Sequence, residues 1–312
     1  MAFRIQGLHH VTAIAGEAQR NLDFYTQVLG LRLVKKTVNF DDPGTYHFYF
    51  GNETGDPGTI LTFFPWEGIT PGRRGPGQAT ETALAVPTDS FAFWLDRFKE
   101  YGVTYNNPAQ RFDEEYLTFL DPDGLKLELV ASQQADPRAG YTTEAIGEAQ
   151  AIRGFQAVTL TLSDHQATAR ILTDVFGYEL IEEHVNRYRY RTDAIATAAT
   201  VDLVSVPGEP VGHVAGGSVH HVAFRVADQE TQLHFRDKVA EAGLSPTPQI
   251  DRDYFMSIYF REPGGVLFEI ATDPPGFTAD ESLKDLGISL KLPQQYEGRR
   301  KEIEQALPTL SS

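Results

Sequence analysis

The sequence predicts an α+β fold of four βαβββ modules that combine in two pairs. Four segments repeat one plan, in which a short strand precedes a helix and further strands follow. Each predicted helix ends at a glycine, and these glycines recur at nearly equal spacing along the chain. The strand segments alternate apolar and polar residues and are rich in β-branched and aromatic side chains, which is typical of half-buried strands.

The first two modules show this plan most plainly. Module one contains the strand GLHHVTAIA, a helix around Leu22–Leu29 closed by Gly30, and the strands YHFYF and GTILTFF. Module two contains TETALAVP, a helix around Ser90–Tyr101 closed by Gly102, and the strands EYLTFLD and GLKLELVA. Helically spaced apolar residues in these helices indicate core-facing stripes.

Modules three and four follow the same order. Module three contains GFQAVTLTLS, a helix around Ala167–Phe176, and the strands RYRYR and ATVDLVSV. Module four contains SVHHVAFRV, a helix around Thr231–Ala242, and the strands FMSIYF and GGVLFEIA. One such module exposes an apolar sheet face that it cannot bury alone, so two modules side by side should form a curled mixed sheet with a concave cup and helices outside.

The polar stretch Ala135–Gln150 is the predicted linker between two halves of the chain. We therefore expect an N-terminal domain of two modules over residues 1–140 and a C-terminal domain of two modules over residues 150–280. Residues 281–312 form a C-terminal extension with a helix expected near Glu297–Leu307.

Composition excludes several classes of function. The chain of 312 residues has 27 Lys and Arg against 43 Asp and Glu, a formal charge of −16, which repels nucleic acid and anionic lipid. No apolar run approaches the roughly 20 residues of a membrane helix, and the opening MAFRIQGLHH lacks an apolar signal core, so we expect a cytoplasmic protein. With no cysteine, a metal site must use His, Asp or Glu.

Two histidine pairs stand in equivalent positions of modules one and four, as His9-His10 and His220-His221. Neighbouring residues of a strand point to opposite faces, so only one histidine of each pair is expected to face the cup. A lone strand histidine is usually a core residue, but the recurrence of the pair favours a metal site.

Glu269 lies in the apolar strand VLFEIA, where a carboxylate is costly to bury unless it is paired or coordinated. Two imidazoles and one carboxylate, from His10, His221 and Glu269, form the facial set of non-haem iron oxygenases. The alternative is an outward, solvated Glu269. These three residues can meet only if module one packs beside module four, so we expect the modules to pair as 1/4 and 2/3.

Aligning the repeats places different residues at the same positions of modules two and three. Ala157 stands at the position of His10, Glu81 near that of His221, and Glu128 at that of Glu269. The 2/3 cup is therefore expected to be a structural relic without a metal.

These motifs resemble the vicinal-oxygen-chelate superfamily (glyoxalases, bleomycin-resistance proteins and extradiol dioxygenases), and within it the bacterial hydroquinone-specific ring-cleaving dioxygenases. The resemblance covers nearly the whole chain, through LHHVTAI, SVHHVAFRV, DRDYFMSIYFREPGGVLFEIATDPPGF and KLPQQYE. It implies a ring-cleaving dioxygenase that acts on a small aromatic substrate and O2. The implied metal is Fe(II), with Mn(II) as the alternative, and the resemblance is compatible with a homo-oligomer.

The resemblance also implies roles for further residues. His9, Arg252 and Tyr259 would be catalytic, and Thr12 and His220 would bind substrate or support the metal ligands. The segment DRD before Tyr254 is shorter than in chlorohydroquinone enzymes, which bears on the position of Arg252 and on substrate range. Without the resemblance, Arg252 would be a surface partner of a neighbouring Asp, and Tyr259 a core aromatic residue.

Two other functions compete with this one. A glyoxalase-type lyase or isomerase with Ni(II) or Zn(II) usually has a second carboxylate ligand, where module one has Thr62. A non-enzymatic resistance protein would sequester an aromatic ligand in the cup without the metal set. The RYRYR run is expected to be a solvated strand edge.

Overall fold

Two curled β-sheets form the frame of the molecule. The structure is a computed structural model that describes residues 3–132 and 136–311; for Ser132 it describes only the backbone. Ala135, the first residue of the predicted linker, lies outside the described residues. The strands in chain order are β1 (Leu8–Ala15), β2 (Arg32–Asn39), β3 (Asp42–Gly51), β4 (Ile60–Pro65), β5 (Gln78–Ala85), β6 (Thr104–Tyr105), β7 (Ala109–Arg111), β8 (Glu114–Leu120), β9 (Lys126–Ser132), β10 (Gly154–Leu162), β11 (Glu179–His184), β12 (Arg187–Arg191), β13 (Thr200–Ser205), β14 (Ser218–Val226), β15 (Ile250–Asp251), β16 (Phe255–Arg261) and β17 (Leu267–Pro275).

The strand order confirms the predicted pairing of modules. One sheet runs β15-β16-β17-β14-β1-β4-β3-β2 and joins modules four and one. The other runs β11-β12-β13-β10-β5-β9-β8-β6, with β7 on β8, and joins modules three and two. Each sheet thus takes strands from both halves of the chain. The domain boundaries at 1–140 and 150–280 remain a prediction.

The helices agree with the predicted positions, with one difference. They are α1 (Ala18–Asp23), α2 (Phe91–Glu100), α3 (Gln166–Arg170), α4 (Gln229–Glu241) and α5 (Arg300–Ala306). In modules one and three the helix ends in a wider π-helical turn, over Phe24–Val28 and Ile171–Val175, and in module one it begins a full turn earlier than predicted. The glycine after each of the four module helices has a positive φ, which residues with a Cβ adopt only under strain.

Burial on both faces characterises the central strand β1. All eight of its residues are buried. Val11 and Ala13 belong to the main hydrophobic core, which is continuous between the two sheets, while His10 and Thr12 line the cup on the other face. A strand buried on both sides cannot show the simple apolar and polar alternation of a surface strand.

The C-terminal extension packs back onto module one. The ammonium of Lys35, a residue with no exposed side-chain surface, pairs with Asp280 and Glu281. The Tyr296 hydroxyl donates to the Phe40 carbonyl oxygen at 2.7 Å. A short 3₁₀ segment leads into α5, in agreement with the helix predicted here. The extension therefore supports the outer strands of the 1/4 sheet.

Two further observations concern the surface. The RYRYR prediction was wrong, because β12 lies between β11 and β13, and Arg189 and Tyr190 on it are buried. The exposed edge strand is β11, all of whose residues are exposed. Within the described part of the chain, no helix has the length and apolar character needed to cross a lipid bilayer.

Candidate metal centre

Three side chains on neighbouring strands converge in the cup of the 1/4 sheet, which we call the first cup. Ala223 of β14 lies opposite both His10 of β1 and Glu269 of β17, and His221 precedes it by two residues on the same face. One potential ligand atom from each of His10, His221 and Glu269 lies within 4.8 Å of the others, and all three residues are buried. Strand pairing therefore brings together residues from the two ends of the chain.

The closest atoms of these residues form a small triangle. Glu269 Oε2 lies 2.9 Å from His221 Nε2 and 3.2 Å from His10 Nε2, and the two Nε2 atoms are 3.3 Å apart. Among the described residues, Glu269 Oε2 has no hydrogen bond of acceptable geometry. Three electron-pair donors facing one point, with an orphaned buried oxygen among them, fit a divalent cation.

The charge of Glu269 is consistent with this fit. Burial alone would raise the pKa of this carboxyl, but the facing imidazoles of His10 and His221 outweigh it and hold the pKa well below its usual range. The other oxygen, Oε1, accepts a hydrogen bond from the Ser257 hydroxyl, which fixes the orientation of the carboxylate. Sequence analysis missed Ser257. The feature that could have identified Ser257 is its position two residues before Tyr259, the residue directly opposite Glu269.

Each histidine pair contains a hydrogen bond between its own rings. The Nδ1 atoms of His9 and His10 are 2.9 Å apart, and those of His220 and His221 are 2.8 Å apart. When Nε2 of His10 or His221 serves as a ligand, its Nδ1 carries the proton and donates to the neighbouring ring. The first histidine of each pair therefore sets the tautomer of the second.

The expectation that only one histidine of each pair faces the cup was wrong for the second pair. His220 lines the same pocket as His221. The register between β1 and β14 slips just before His10 and again beside His221, so both first histidines sit at irregularities of the ladder. A bulge re-aims side chains, and strict alternation does not hold there.

His9 and His220 are neutral over the physiological pH range. Burial, followed by the charge of His10, lowers the pKa of His9 well below its usual value. Burial, followed by the charge of His221, lowers the pKa of His220 to about 3. Both residues can therefore accept or donate hydrogen bonds near the ligands without carrying a charge themselves.

The lowered pKa of His220 predicts a pH dependence of stability in the metal-free protein. Unfolded histidine takes up a proton near pH 6.5, whereas folded His220 resists it down to about pH 3, so stability is lost as the pH falls below about 6.5. We expect His220→Asn to reduce this loss in denaturation experiments between pH 4.5 and 7.5. Asp121, whose pKa burial raises to about 7, contributes with the opposite sign, so the comparison uses variant minus wild type. An equal loss of unfolding free energy with falling pH in both proteins would contradict the prediction.

A cavity of about 350 Å³ opens beside the triangle. Its wall is largely aromatic and apolar, which suits a flat ring. The apolar residues that line it are Phe40, Phe64, Trp66, Phe255 and Leu267. Its polar lining includes Thr12 and His220, and their roles remain predictions.

Arg252 and Tyr259 lie together at this cavity. Arg252 Nε donates to the Tyr259 hydroxyl at 3.3 Å, and its Nη2 lies 3.5 Å from Asp41 Oδ2. Its acidic partner is thus Asp41, from the loop after β2, and neither of the flanking aspartates considered above. Burial, followed by the charge of Glu269, raises the pKa of Tyr259, so its hydroxyl stays protonated and can donate.

A further polar group in the cavity was not selected from the sequence. His47 on β3 has its Nε2 atom 2.9 Å from Thr62 Oγ1 and its Nδ1 atom 2.9 Å from the Tyr49 hydroxyl. Thr62 Oγ1 in turn lies 2.8 Å from Thr12 Oγ1. His47 and Tyr49 share one face of the YHFYF strand, and that spacing of two was the available signal.

The cup of the 2/3 sheet, which we call the second cup, has the same register but different chemistry. Ala83 lies opposite both Ala157 and Glu128, as predicted from the repeats. Glu81, two residues earlier, takes the position of the second histidine, and Asp202 that of the threonine on β4. One alanine and three carboxylates thus occupy the positions that correspond to two imidazoles, one carboxylate and one hydroxyl in the first cup.

Protein cations neutralise these carboxylates. The side chains that pair in the second cup are Glu81, Glu114, Glu128 and Asp202 with Arg111, Lys126, Arg187 and Arg189. Arg187 bridges Glu81 at 2.8 Å and Asp202 at 2.9 Å. The paired carboxylates of the second cup are therefore matched by protein cations; that this cup holds no metal remains a prediction.

Comparison with known proteins relates the chain to one family. Residues 7–129 and 154–270 match the family model described as Glyoxalase/Bleomycin resistance protein/Dioxygenase superfamily. The Bacillus subtilis protein named "Putative ring-cleaving dioxygenase MhqO" is 47% identical over 98% of this chain and 97% of its own length. The "Chlorohydroquinone/hydroquinone 1,2-dioxygenase" of Sphingobium indicum is 35% identical over 96% of this chain and 95% of its own length.

Solved structures agree with this relationship. The crystal structure of a "putative dioxygenase from Bacillus subtilis subsp. subtilis str. 168" superposes with a TM-score of 0.95 at 46% identity, covering 99% of both chains. Glyoxalase I from Zea mays superposes with a TM-score of 0.63 at 16% identity, covering 86% of this chain and 92% of its own. At that identity the second similarity concerns the fold alone.

Proposed function

Because this chain belongs to the Glyoxalase/Bleomycin resistance protein/Dioxygenase superfamily, we propose that it is a metal-dependent dioxygenase that opens hydroquinone-type rings with O2. The observation that carries the proposal is the buried triangle of two imidazole nitrogens and one carboxylate oxygen beside an aromatic cavity. Of two relatives that align over nearly the whole chain, one is named as a putative ring-cleaving dioxygenase and the other as a chlorohydroquinone/hydroquinone 1,2-dioxygenase, which supports the reaction and the substrate class.

His10, His221 and Glu269 would hold the ion, for which Fe(II) is the first choice and Mn(II) the second. When bound, such an ion lowers the pKa of a coordinated phenol and brings phenol and dioxygen into one coordination sphere. These three residues would hold the ion beside the cavity, which His10 and His221 line. Ser257 and the two neighbouring histidines keep these ligands in one orientation and tautomer.

Arg252 and Tyr259 would orient the ring. The Tyr259 hydroxyl remains a donor because its pKa is raised by burial, and Arg252 supplies a fixed positive charge at the cavity wall. Donors of this kind stabilise developing negative charge on oxygen by about 2.7–4 kcal/mol each. The aromatic wall excludes water and holds the flat face of the ring.

The alternatives differ from this proposal at specific residues. A glyoxalase-type site would need a second carboxylate where Thr62 stands, and the Thr62 hydroxyl is hydrogen-bonded to His47 and Thr12 instead. A binder without a metal would have no need of three converging electron-pair donors. Cytoplasmic location and oligomeric state remain predictions of the sequence.

Oxygen uptake tests the proposed function. We expect the protein loaded anaerobically with Fe(II) to consume O2 when substituted hydroquinones and air are added, and the metal-free protein to consume none. Turnover of methylglyoxal with a thiol by the protein loaded with Ni(II) or Zn(II) would instead indicate the glyoxalase-type lyase. Ligand binding without oxygen uptake across several hydroquinones would favour the sequestering protein and overturn the dioxygenase.

A further inference from the structure

Three buried polar side chains and half-buried His47 form a continuous chain of hydrogen bonds along the cavity wall. The Tyr49 hydroxyl contacts His47 Nδ1, and His47 Nε2 contacts Thr62. Thr62 contacts Thr12, and the threonines are fully buried. The two ends of the chain, Tyr49 and Thr12, both line the cavity beside the triangle, as does His47.

The number of hydrogens in this chain determines what it can do. Tyr49, Thr62 and Thr12 each carry one hydroxyl hydrogen, and neutral His47 carries one N–H. Three hydrogen bonds use three of the four hydrogens, so one donor is left over. It lies at Thr12 when His47 is protonated on Nε2, and at Tyr49 when His47 is protonated on Nδ1.

The environment keeps these groups in the required forms. Burial, followed by the charges of His10 and His221, lowers the pKa of His47 well below its usual value, so the imidazole is neutral. Burial raises the pKa of the Tyr49 phenol well above its usual value, so the hydroxyl is protonated. Neither end of the chain has another hydrogen-bond partner among the described residues that would lock one direction.

We propose that Tyr49, His47, Thr62 and Thr12 form a proton relay that joins two points of the cavity wall through the two tautomers of His47. A proton that arrives on the Tyr49 oxygen pushes the Tyr49 hydrogen to Nδ1, the Nε2 hydrogen to Thr62, and the Thr62 hydrogen to Thr12. The Thr12 hydrogen then leaves into the cavity, and the reverse step restores the first tautomer. No net charge is created in the buried chain.

This relay rests on the proposed function, because a bound phenol must lose a proton and the opened product must regain one. Thr12 and Tyr49 would contact the substrate, and His47 would be a positioning residue that acts through Thr62 and Tyr49. The position of Thr62 is the one where a glyoxalase-type site would have its second carboxylate. In this chain that position serves proton transfer and not coordination.

Imidazole ¹⁵N NMR of the metal-free protein tests the relay independently of activity. In Tyr49→Phe, Nδ1 loses its partner, and we expect the proton on Nε2, because an unpaired N–H is costlier than an unpaired lone pair. In Thr62→Val, we expect it on Nδ1. Tyr46→Phe is the matched control, because Tyr46 lies on the same strand and donates to the Pro308 carbonyl oxygen. The same tautomer in both test variants, or an imidazolium, would overturn the relay.

Kinetics supply the second test. His47→Gln can keep a donor and an acceptor toward Thr62 and Tyr49 but cannot exchange tautomers. We expect kcat to fall about 10²- to 10⁴-fold with little change in KM, as for loss of a general acid–base group. Unchanged kcat in this variant would also overturn the relay. If the wild type consumes no O2 with any hydroquinone, the proposed function fails, and the NMR result alone decides whether the relay exists.

Discussion

Replacing Glu269 by glutamine is expected to remove the bound ion and all metal-dependent activity while the metal-free protein stays folded. The carboxylate supplies the only negative charge of the triangle, and its Oε2 atom has no hydrogen-bond partner of acceptable geometry among the described residues. An amide has nearly the same shape, so packing in the strand is retained, but it is a much poorer ligand for a divalent cation. Substitutions that merely disturb the support of a ligand cost about 10- to 100-fold in metal affinity, and loss of a ligand should exceed that.

Metal titration and oxygen uptake should be measured on Glu269→Gln together with Glu128→Gln. Glu128 holds the same register position in the second cup and pairs there with Arg111. Its substitution should lower stability without changing metal affinity or turnover. Retained iron binding in Glu269→Gln, or equal loss of iron in both variants, would remove Glu269 from the metal site.

Much of the architecture could be predicted because it depends on local patterns repeated four times. Glycines that end helices, such as Gly30 and Gly102, can be identified from the sequence, and both adopt the left-handed conformation that this role requires. The recurrence of two adjacent histidines in modules one and four indicated which modules must pair. The strand order confirms that pairing.

The details that escaped prediction depend on deviations from regular strands or on contacts between distant segments. His220 reaches the cavity because the ladder is irregular at that point, and a bulge has no reliable sequence signal. Arg252 pairs with Asp41, a residue more than two hundred positions earlier that only the closed sheet brings near. His47 was one of nine histidines, and its significance depends on its contact with Thr62.

The second cup shows how one register can support two chemistries. A carboxylate in a buried strand needs a cation, which can come from solution or from the protein. In the first cup Glu269 faces the imidazoles of His10 and His221, whose ring nitrogens can serve with it as ligands for an ion from solution. In the second cup guanidinium groups pair with Glu81, Glu128 and Asp202, so protein cations balance the charge of these carboxylates. The charged run RYRYR was misread as a surface feature because its partners lie on other strands.

Replacing Arg189 by methionine should therefore destabilise the protein by about 3–5 kcal/mol, because it leaves buried Glu114 without a cationic partner and buried Asp202 with Arg187 alone. Arg189 is 4% exposed, and its guanidinium lies 2.8 Å from Asp202 Oδ1 and 2.7 Å from Glu114 Oε2. Methionine keeps much of the side-chain volume, so the effect measures the lost charge pairing and not an empty cavity.

Chemical denaturation of Arg189→Met should be compared with that of Arg236→Met. Arg236 makes one ion pair, with Asp237 at 3.5 Å, and donates to the Thr247 carbonyl oxygen at 3.1 Å, but its side chain is 36% exposed, so its loss should cost about 1 kcal/mol. Metal affinity of the folded Arg189→Met protein should match the wild type, because the first cup has its own strands and ligands. Equal stability of the two variants would mean that the ionic network does not hold the second cup together, since the protein would then tolerate buried Glu114 without a cationic partner.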